Sequence, residues 1–272
     1  MSLGGALKQT DDQRQLVSCP RVSVGGIRVD AVHDGSIGDL LRVLLEEPRC
    51  HHVVTLNLDY ARQAASDPPL RRIIDSAALV VPDGMPIVWA AKLSGAPISR
   101  RVTGHDLVQA LVEHSARDGF SLFFLGAAPG VGEQGALNLR QRYPNVRIAG
   151  TYSPPLGPYP YPEEEDRHMV ETVNASGADV LLVALGCPKQ DLWIAAHQDE
   201  LKPSLAIGVG SVLDVLAGAA RRAPRWLQGT GLEWLYRLIQ EPGRLWRRYL
   251  VQDAPFLVRL FLWSVRARLR GK

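Results

Sequence analysis

Asp179-Val-Leu-Leu-Val-Ala-Leu185 is a continuous apolar run of strand length, followed at once by Gly186-Cys-Pro-Lys-Gln190 and by an amphipathic stretch from Gln190 to Glu200. A strand apolar on both sides must be covered on both sides, which is the condition of a strand inside a parallel sheet. The glycine turn and the helical stretch behind it supply the cover and the return path. The same unit recurs on either side of this one. Apolar runs stand at His52–Leu56, Ala78–Val81, Ser121–Leu125, Val146–Ile148 and Leu205–Val209, with helical stretches at Asp106–Arg117, Val131–Tyr143 and Glu163–Ser176. The pattern predicts an α/β fold, a Rossmann-like parallel sheet with helices on both faces. Ahead of it, Arg21-Val-Ser-Val-Gly-Gly-Ile-Arg-Val-Asp30 reads as a small N-terminal β-hairpin around Gly25-Gly26, leading into a helix from Ile37 to Glu46.

With 272 residues, 46% of them hydrophobic, the chain can bury a large core, and one domain with an appendage is expected. The expected division is a flexible N-terminus (1–20), the α/β core (21–220) and a helical basic C-terminal appendage (221–272). The appendage holds twelve Lys or Arg against three acids, a charge of about +9 that leaves the body mildly acidic. Cys19, Cys50 and Cys187 are widely spaced, which argues against a disulfide scaffold and a zinc cluster and for a reducing, cytoplasmic setting. Residues 1–15 are polar and read neither as a secretory signal nor as an anchor. No run approaches the roughly 18 apolar residues of a membrane span; Phe256–Val265 is shorter and contains Arg259. A tail mixing arginine with Trp, Leu and Phe suits lipid phosphate, nucleic acid or an anionic substrate held by the body.

In parallel sheets the ligand sits beyond the carboxyl ends of the strands, so the residues after each apolar run are the candidates. Asp83, in Pro82-Asp-Gly84, is either turn chemistry or a general base at a strand end. Thr55 and Asn57 point the same way and either contact a sugar or phosphate or cap the helix beginning near Asp59. Gly126-Ala-Ala-Pro-Gly-Val-Gly132 opens a helix after a strand, as phosphate loops do, but matches neither the Walker nor the dinucleotide spacing. Generic helix-start chemistry covers it. In Gly186–Gln190, Lys189 and Gln190 serve better as ligand contacts than Cys187 as a nucleophile. Asp214, after Gly208-Val-Gly210, either binds ribose hydroxyls or caps a short helix. Ser153–Pro162 is a stiff proline-rich loop, and Glu163–Asp166 an acidic first helical turn.

Taken in order, Thr55-Leu-Asn57, Val81-Pro-Asp-Gly84, Gly104-His-Asp-Leu107, Leu185–Gln190, Gly208–Asp214, Arg222-Ala-Pro224, Glu233-Trp-Leu-Tyr-Arg237 and Glu241-Pro-Gly-Arg-Leu-Trp-Arg247 resemble the WecG/TagA/CpsF family of bacterial glycosyltransferases. The resemblance runs from about Val53 to Tyr249. It implies transfer of a sugar from a UDP-sugar to a sugar on a polyprenyl diphosphate, with inversion and with no metal or other cofactor. Implied roles are Asp83 as the base, Thr55 and Asn57 in the same pocket, Gln190 and Asp214 as holders of the nucleotide sugar, and Arg237, Arg244 and Arg247 as diphosphate ligands. Gly126, Gly186, Gly210 and Lys189 complete the expected binding edge. Arginine suits diphosphate as a permanent, bidentate cation, and the sequence has no Asp-x-Asp. The spacing places Arg237, Arg244 and Arg247 near one face if helix is maintained or resumed across Pro242. His105 stands where the family more often has a small residue, and Asp191 where Glu is usual.

A nicotinamide-dependent oxidoreductase and a non-catalytic membrane or nucleic-acid adaptor are the competing readings. The first lacks its dinucleotide fingerprint, and nucleic-acid binding leaves the converging turns unexplained. Phe256–Lys272 is therefore expected to lie on anionic lipid at the cytoplasmic membrane face, with a second subunit as the alternative cover.

Overall fold

The structure, a computed structural model, describes residues 19–32, 37–228 and 230–270. Residues 1–18 of the expected flexible N-terminus and Lys272 lie outside the described residues. Strands β1 (Arg21–Val24) and β2 (Ile27–Asp30) form the expected hairpin. Six strands, β3 (His51–Leu56), β4 (Leu79–Pro82), β5 (Ser121–Gly126), β6 (Arg147–Tyr152), β7 (Val180–Ala184) and β8 (Leu205–Gly208), make an all-parallel sheet in the order β4-β3-β8-β7-β5-β6.

Side chains alternate across a strand, and the sheet divides its apolar residues accordingly. Val53, Val81, Phe124, Leu182 and Ile207 face one layer, formed by helices α1 (Ile37–Leu45), α5 (Gly104–Asp118), α6 (Val131–Arg142) and α9 (Val212–Leu216). Val54, Val80, Phe123, Leu181 and Ala206 face the other. There α2 (Leu58–Ala64), α3 (Pro68–Ser76) and α4 (Met85–Ser94) pack with the hairpin at one end, and α7 (Glu163–Ala175) and α8 (Lys189–His197) at the other. This is the expected two-sided cover, and it accounts for the unbroken apolar runs.

The topology also fixes where a crevice opens. After β3 and β7 the chain turns to the second layer, into α2 and α8, whereas after β8, which lies between them, it turns to the first layer, into α9. Neighbouring strands that send the chain to opposite faces leave a gap at their carboxyl ends. Gly208-Val209-Gly210 therefore sits between two such gaps.

The appendage is helical throughout its longer segments. It comprises α10 (Arg225–Gln228), α11 (Glu233–Gln240), α12 (Pro242–Trp246), a π-helical turn (Arg247–Asp253) and α13 (Ala254–Arg270). Helix α13 lies on α4 and the hairpin: Leu260 is buried against Gly25, and Phe256 and Phe261 join the same apolar cluster. Its outward stripe is Val258, Leu262, Val265 and Leu269. Among the described residues no helix is long and apolar enough to cross a membrane.

Candidate active site

The site is built from the ends of β3, β4 and β8. Asp83 follows β4, its N–H donating to the Leu56 carbonyl at 2.9 Å, and it is only partly exposed. Burial is the largest influence on its carboxyl and raises the pKa, Arg237 and Arg101 pull it back, and the balance is about 6. Such a carboxylate is ionised at neutral pH yet basic enough to take a proton. One hydrogen bond further along, the Val102 N–H donates to the Pro82 carbonyl at 3.0 Å. That bond sets Arg101 near Asp83, whose pKa it helps lower, and starts α5 at the crevice. Helix α5 opens with a capping box, the Thr103 hydroxyl accepting from the Asp106 N–H and the Asp106 carboxylate from the Thr103 N–H. Arg222 approaches both residues, at 3.4 and 3.5 Å. His105, next in the turn, has a buried Nε2 with no partner among the described residues. Burial first, then Arg222 and Arg237, depress its pKa to about 4 and keep the ring neutral.

The floor of the crevice is a bonded loop. The Thr55 hydroxyl donates to the Gly208 carbonyl at 2.9 Å, and the Gln190 side-chain oxygen accepts from the Gly210 N–H at 3.1 Å. A Cβ on residue 208 would collide with the Gln190 amide, so only glycine lets helix α8 approach β8 this closely. Behind Gln190, Asp191 and His52 form a fully buried pair, Oδ1 to Nε2 at 3.1 Å, tying α8 to β3. Asn57 takes the capping role: its Oδ1 accepts from the Tyr60 N–H at 3.0 Å.

Of the other expected residues, Gly126 packs against the Ala184 carbonyl, too close for any Cβ. Gly186 sits in the positive-φ turn before α8. Lys189 donates to the Gly157 carbonyl at 3.0 Å, tying the proline-rich loop to that turn. Asp214 lies in the first turn of α9, partly buried. Burial, with Asp191 and Asp59 adding to it, pushes the Cys187 thiol far above its ordinary value and keeps it protonated.

Above the floor, α11 brings Arg237 toward Asp83, close enough to be the leading charge that lowers its pKa. Helix α11 ends at Gln240, and Glu241 leaves helical geometry before α12 starts at Pro242. Helix is not maintained at Glu241 but resumes at Pro242, the second of the two conditions on which the spacing argument rested. Arg247 is exposed, its guanidinium over the Trp246 ring at 5.5 Å. The side chain of Arg244 lies outside the described residues. Arg248 turns inward instead, to Asp59 at 3.1 Å.

Comparison with known proteins identifies the family. The profile described as the glycosyl transferase WecG/TagA/CpsF family matches residues 22–270. The chain belongs to this family. It is also similar to the N-acetylglucosaminyldiphosphoundecaprenol N-acetyl-beta-D-mannosaminyltransferase of Bacillus spizizenii, 31% identical over 222 residues, 82% of this chain and 83% of that one. The Staphylococcus aureus protein of the same description is 30% identical over 195 residues, 72% of this chain and 74% of that one. The protein is thus a glycosyltransferase.

Five residues around this candidate site were given no role in the sequence reading: Arg101, Arg222, Glu233 and the paired His52 and Asp191. Arg101 had a usable signal, since it stands two residues before the Thr103-x-x-Asp106 capping box that marks a helix start. Glu233 stood in a quoted motif without a role. His52 and Asp191 are 139 positions apart, and no local pattern joins them.

Proposed function

We propose that this glycosyltransferase moves an N-acetylmannosamine residue, or a related hexose, from a UDP-sugar to a sugar carried on polyprenyl diphosphate. The transfer inverts the anomeric carbon and uses no metal ion. The observation that carries the reading is Asp83, a carboxyl with a pKa near 6 at the mouth of the crevice, faced by Arg237 and Arg101. The activity named for the two relatives suggests the sugar and the acceptor class.

The acceptor hydroxyl gives its proton to Asp83 as its oxygen bonds to the anomeric carbon. The bond from that carbon to the diphosphate oxygen breaks on the opposite side, and UDP leaves with the electron pair. Guanidinium groups meet the growing charge, Arg237 first and Arg244 and Arg247 from the following helical segments. Thr55 and Asn57 border the reacting sugar, while Gln190, Asp214, Gly126, Gly186, Gly210 and Lys189 border the nucleotide. The outward stripe of α13, with Arg259, Arg266, Arg268 and Arg270 beside it, rests on the anionic cytoplasmic face of the membrane, where the acceptor lipid lies. A homo-oligomer is the other way to cover that stripe, and sedimentation of the pure protein distinguishes the two.

The test offers UDP-N-acetylmannosamine and a lipid-linked N-acetylglucosamine to the enzyme, with and without EDTA. The expected product is the lipid-linked disaccharide with an inverted anomeric proton signal, in equal yield in both samples. Absence of product with a panel of UDP-sugars, or full turnover by Asp83→Asn, would overturn the reading.

A further inference from the structure

Helix α11 is built inside out. Trp234, Leu235 and Ile239 are exposed, Ile239 at 71%, while Glu233 is buried to 7%. A carboxylate out of water must be paired or it is expelled. Glu233 is paired twice: Oε2 accepts from Arg101 Nη1 at 2.6 Å, and Oε1 from Arg237 Nη2 at 3.5 Å. Burial alone would raise its pKa, but Arg101, Arg237 and Arg222 lower it below the ordinary glutamate value and keep it charged.

The two bonds differ in kind. Arg101 belongs to the body and is itself largely buried; the adjoining Val102 N–H is bonded to Pro82, the residue before Asp83. Its contact with Glu233 is short. Arg237 sits one turn along α11, its side chain 45% exposed, and its contact is long. A short charged bond thus fixes the helix to the strand that carries the base, and a loose one holds the neighbouring guanidinium near the base without consuming it.

We propose that Glu233 is a positioning residue of this glycosyltransferase. Its carboxylate latches α11 to Arg101 over the crevice and presents Arg237 to the anionic leaving group, which then takes Arg237 over from the carboxylate. The inference rests on the transfer reaction proposed above. Because Glu233 is itself negative, it adds nothing to the ground-state binding of a diphosphate. Its loss therefore weakens turnover and spares donor affinity, a split that general unfolding would not give.

The experiment compares the full-length wild type with Glu233→Ala, Glu233→Gln, Arg101→Ala and the Glu233→Ala/Arg101→Ala double variant. Hydrogen exchange of residues 230–240 is measured without substrate, and UDP affinity and kcat are measured alongside. Expected is at least tenfold faster exchange in α11 for each single Ala variant, with the β-sheet unchanged. For Glu233→Ala, kcat should fall about 10²-fold, the scale of one misplaced electrostatic donor, while the UDP dissociation constant stays within threefold. Glu233→Gln, which keeps the shape, should recover part of the protection. The double variant should be no worse than the poorer single, as for two residues acting as one unit. Unchanged α11 exchange in the single variants, or fully additive losses, would overturn the latch. If the wild type turns over none of the UDP-sugars offered, the function reading fails, and the exchange data still decide the latch.

Discussion

In residues 230–246 most of the large apolar side chains face out while the Glu233 carboxylate faces in, whereas in residues 247–270 buried charge and the buried Leu260 both hold the chain to the body beneath an outward stripe of Val258, Leu262, Val265 and Leu269. The first part, α11 with α12, meets the body through Glu233 and little buried hydrocarbon beyond Leu245. The second is held by Arg62 and Arg248 with Asp59 and Asp253, a buried alternation of charge in which Arg62 bonds Asp253 at 2.9 Å. Leu260, in the core of the second layer, adds to that hold. One buried ion pair can be exchanged for another by an arriving anion. Several apolar groups in a shared core cannot, since each would have to return to water. Under the proposed function, the first part is the one expected to move and act in the transfer, and the second the one expected to stay attached.

The largest effect is expected at the residue on which the first part closes. Asp83→Asn should lower turnover by about 10³-fold, within the usual range for a lost general base. The wild-type rate should rise as pH passes upward through about 6. The same pKa has a stability consequence. The folded carboxyl binds its proton more tightly than the unfolded one, so stability falls as pH rises from about 4 to about 6. Asp83→Asn should then melt higher than the wild type at pH 7.5 and lose that advantage below pH 4, as read by calorimetry. A lower melting temperature at pH 7.5 would refute the burial argument.

Next comes the second part. Leu260→Ala should destabilise the whole protein by about 3 kcal/mol, the usual cost of emptying a core leucine site, in a single thermal transition shared with the sheet. A separate early transition of the tail would break the contrast between the two parts. Arg237→Ala against Arg247→Ala sharpens it from the other side. The first should lose about 10²-fold in kcat, and the second only a few-fold, because Arg247 is exposed and stacked on Trp246. The smallest stability effect is expected on the outward stripe. Leu262→Glu should change stability by less than about 0.5 kcal/mol and yet weaken sedimentation with anionic vesicles. Unchanged vesicle binding would reassign that stripe to a contact between subunits.

Much of the fold was readable because burial on both faces forces unbroken apolar runs, and five of the six sheet strands lie within two residues of their expected limits at each end. Strand β6 runs on to Tyr152 where Val146–Ile148 was expected, since Gly150 and Thr151 carry no apolar signal. Helices α3 and α4 were not delimited, being short and lying close to neighbouring strands and turns. At the site, the turns were found because a parallel sheet puts its ligand at one edge. The side-chain partners were not. Asn57 was weighed as a cap or a ligand contact, and only the bond to Tyr60 decides where its oxygen goes.

By itself the sequence determined the period of strands and helices, the basic appendage and the ordered motifs that mark the family. These properties depend on neighbours a few positions apart, where spacing alone sets which side chains share a face. Only the tertiary structure decided that Arg101 meets Glu233 across 132 positions, that helix is interrupted at Glu241 before resuming at Pro242, and that Leu260 belongs to the core. Those outcomes depend on where the completed sheet leaves its crevice and which buried charges then find a partner.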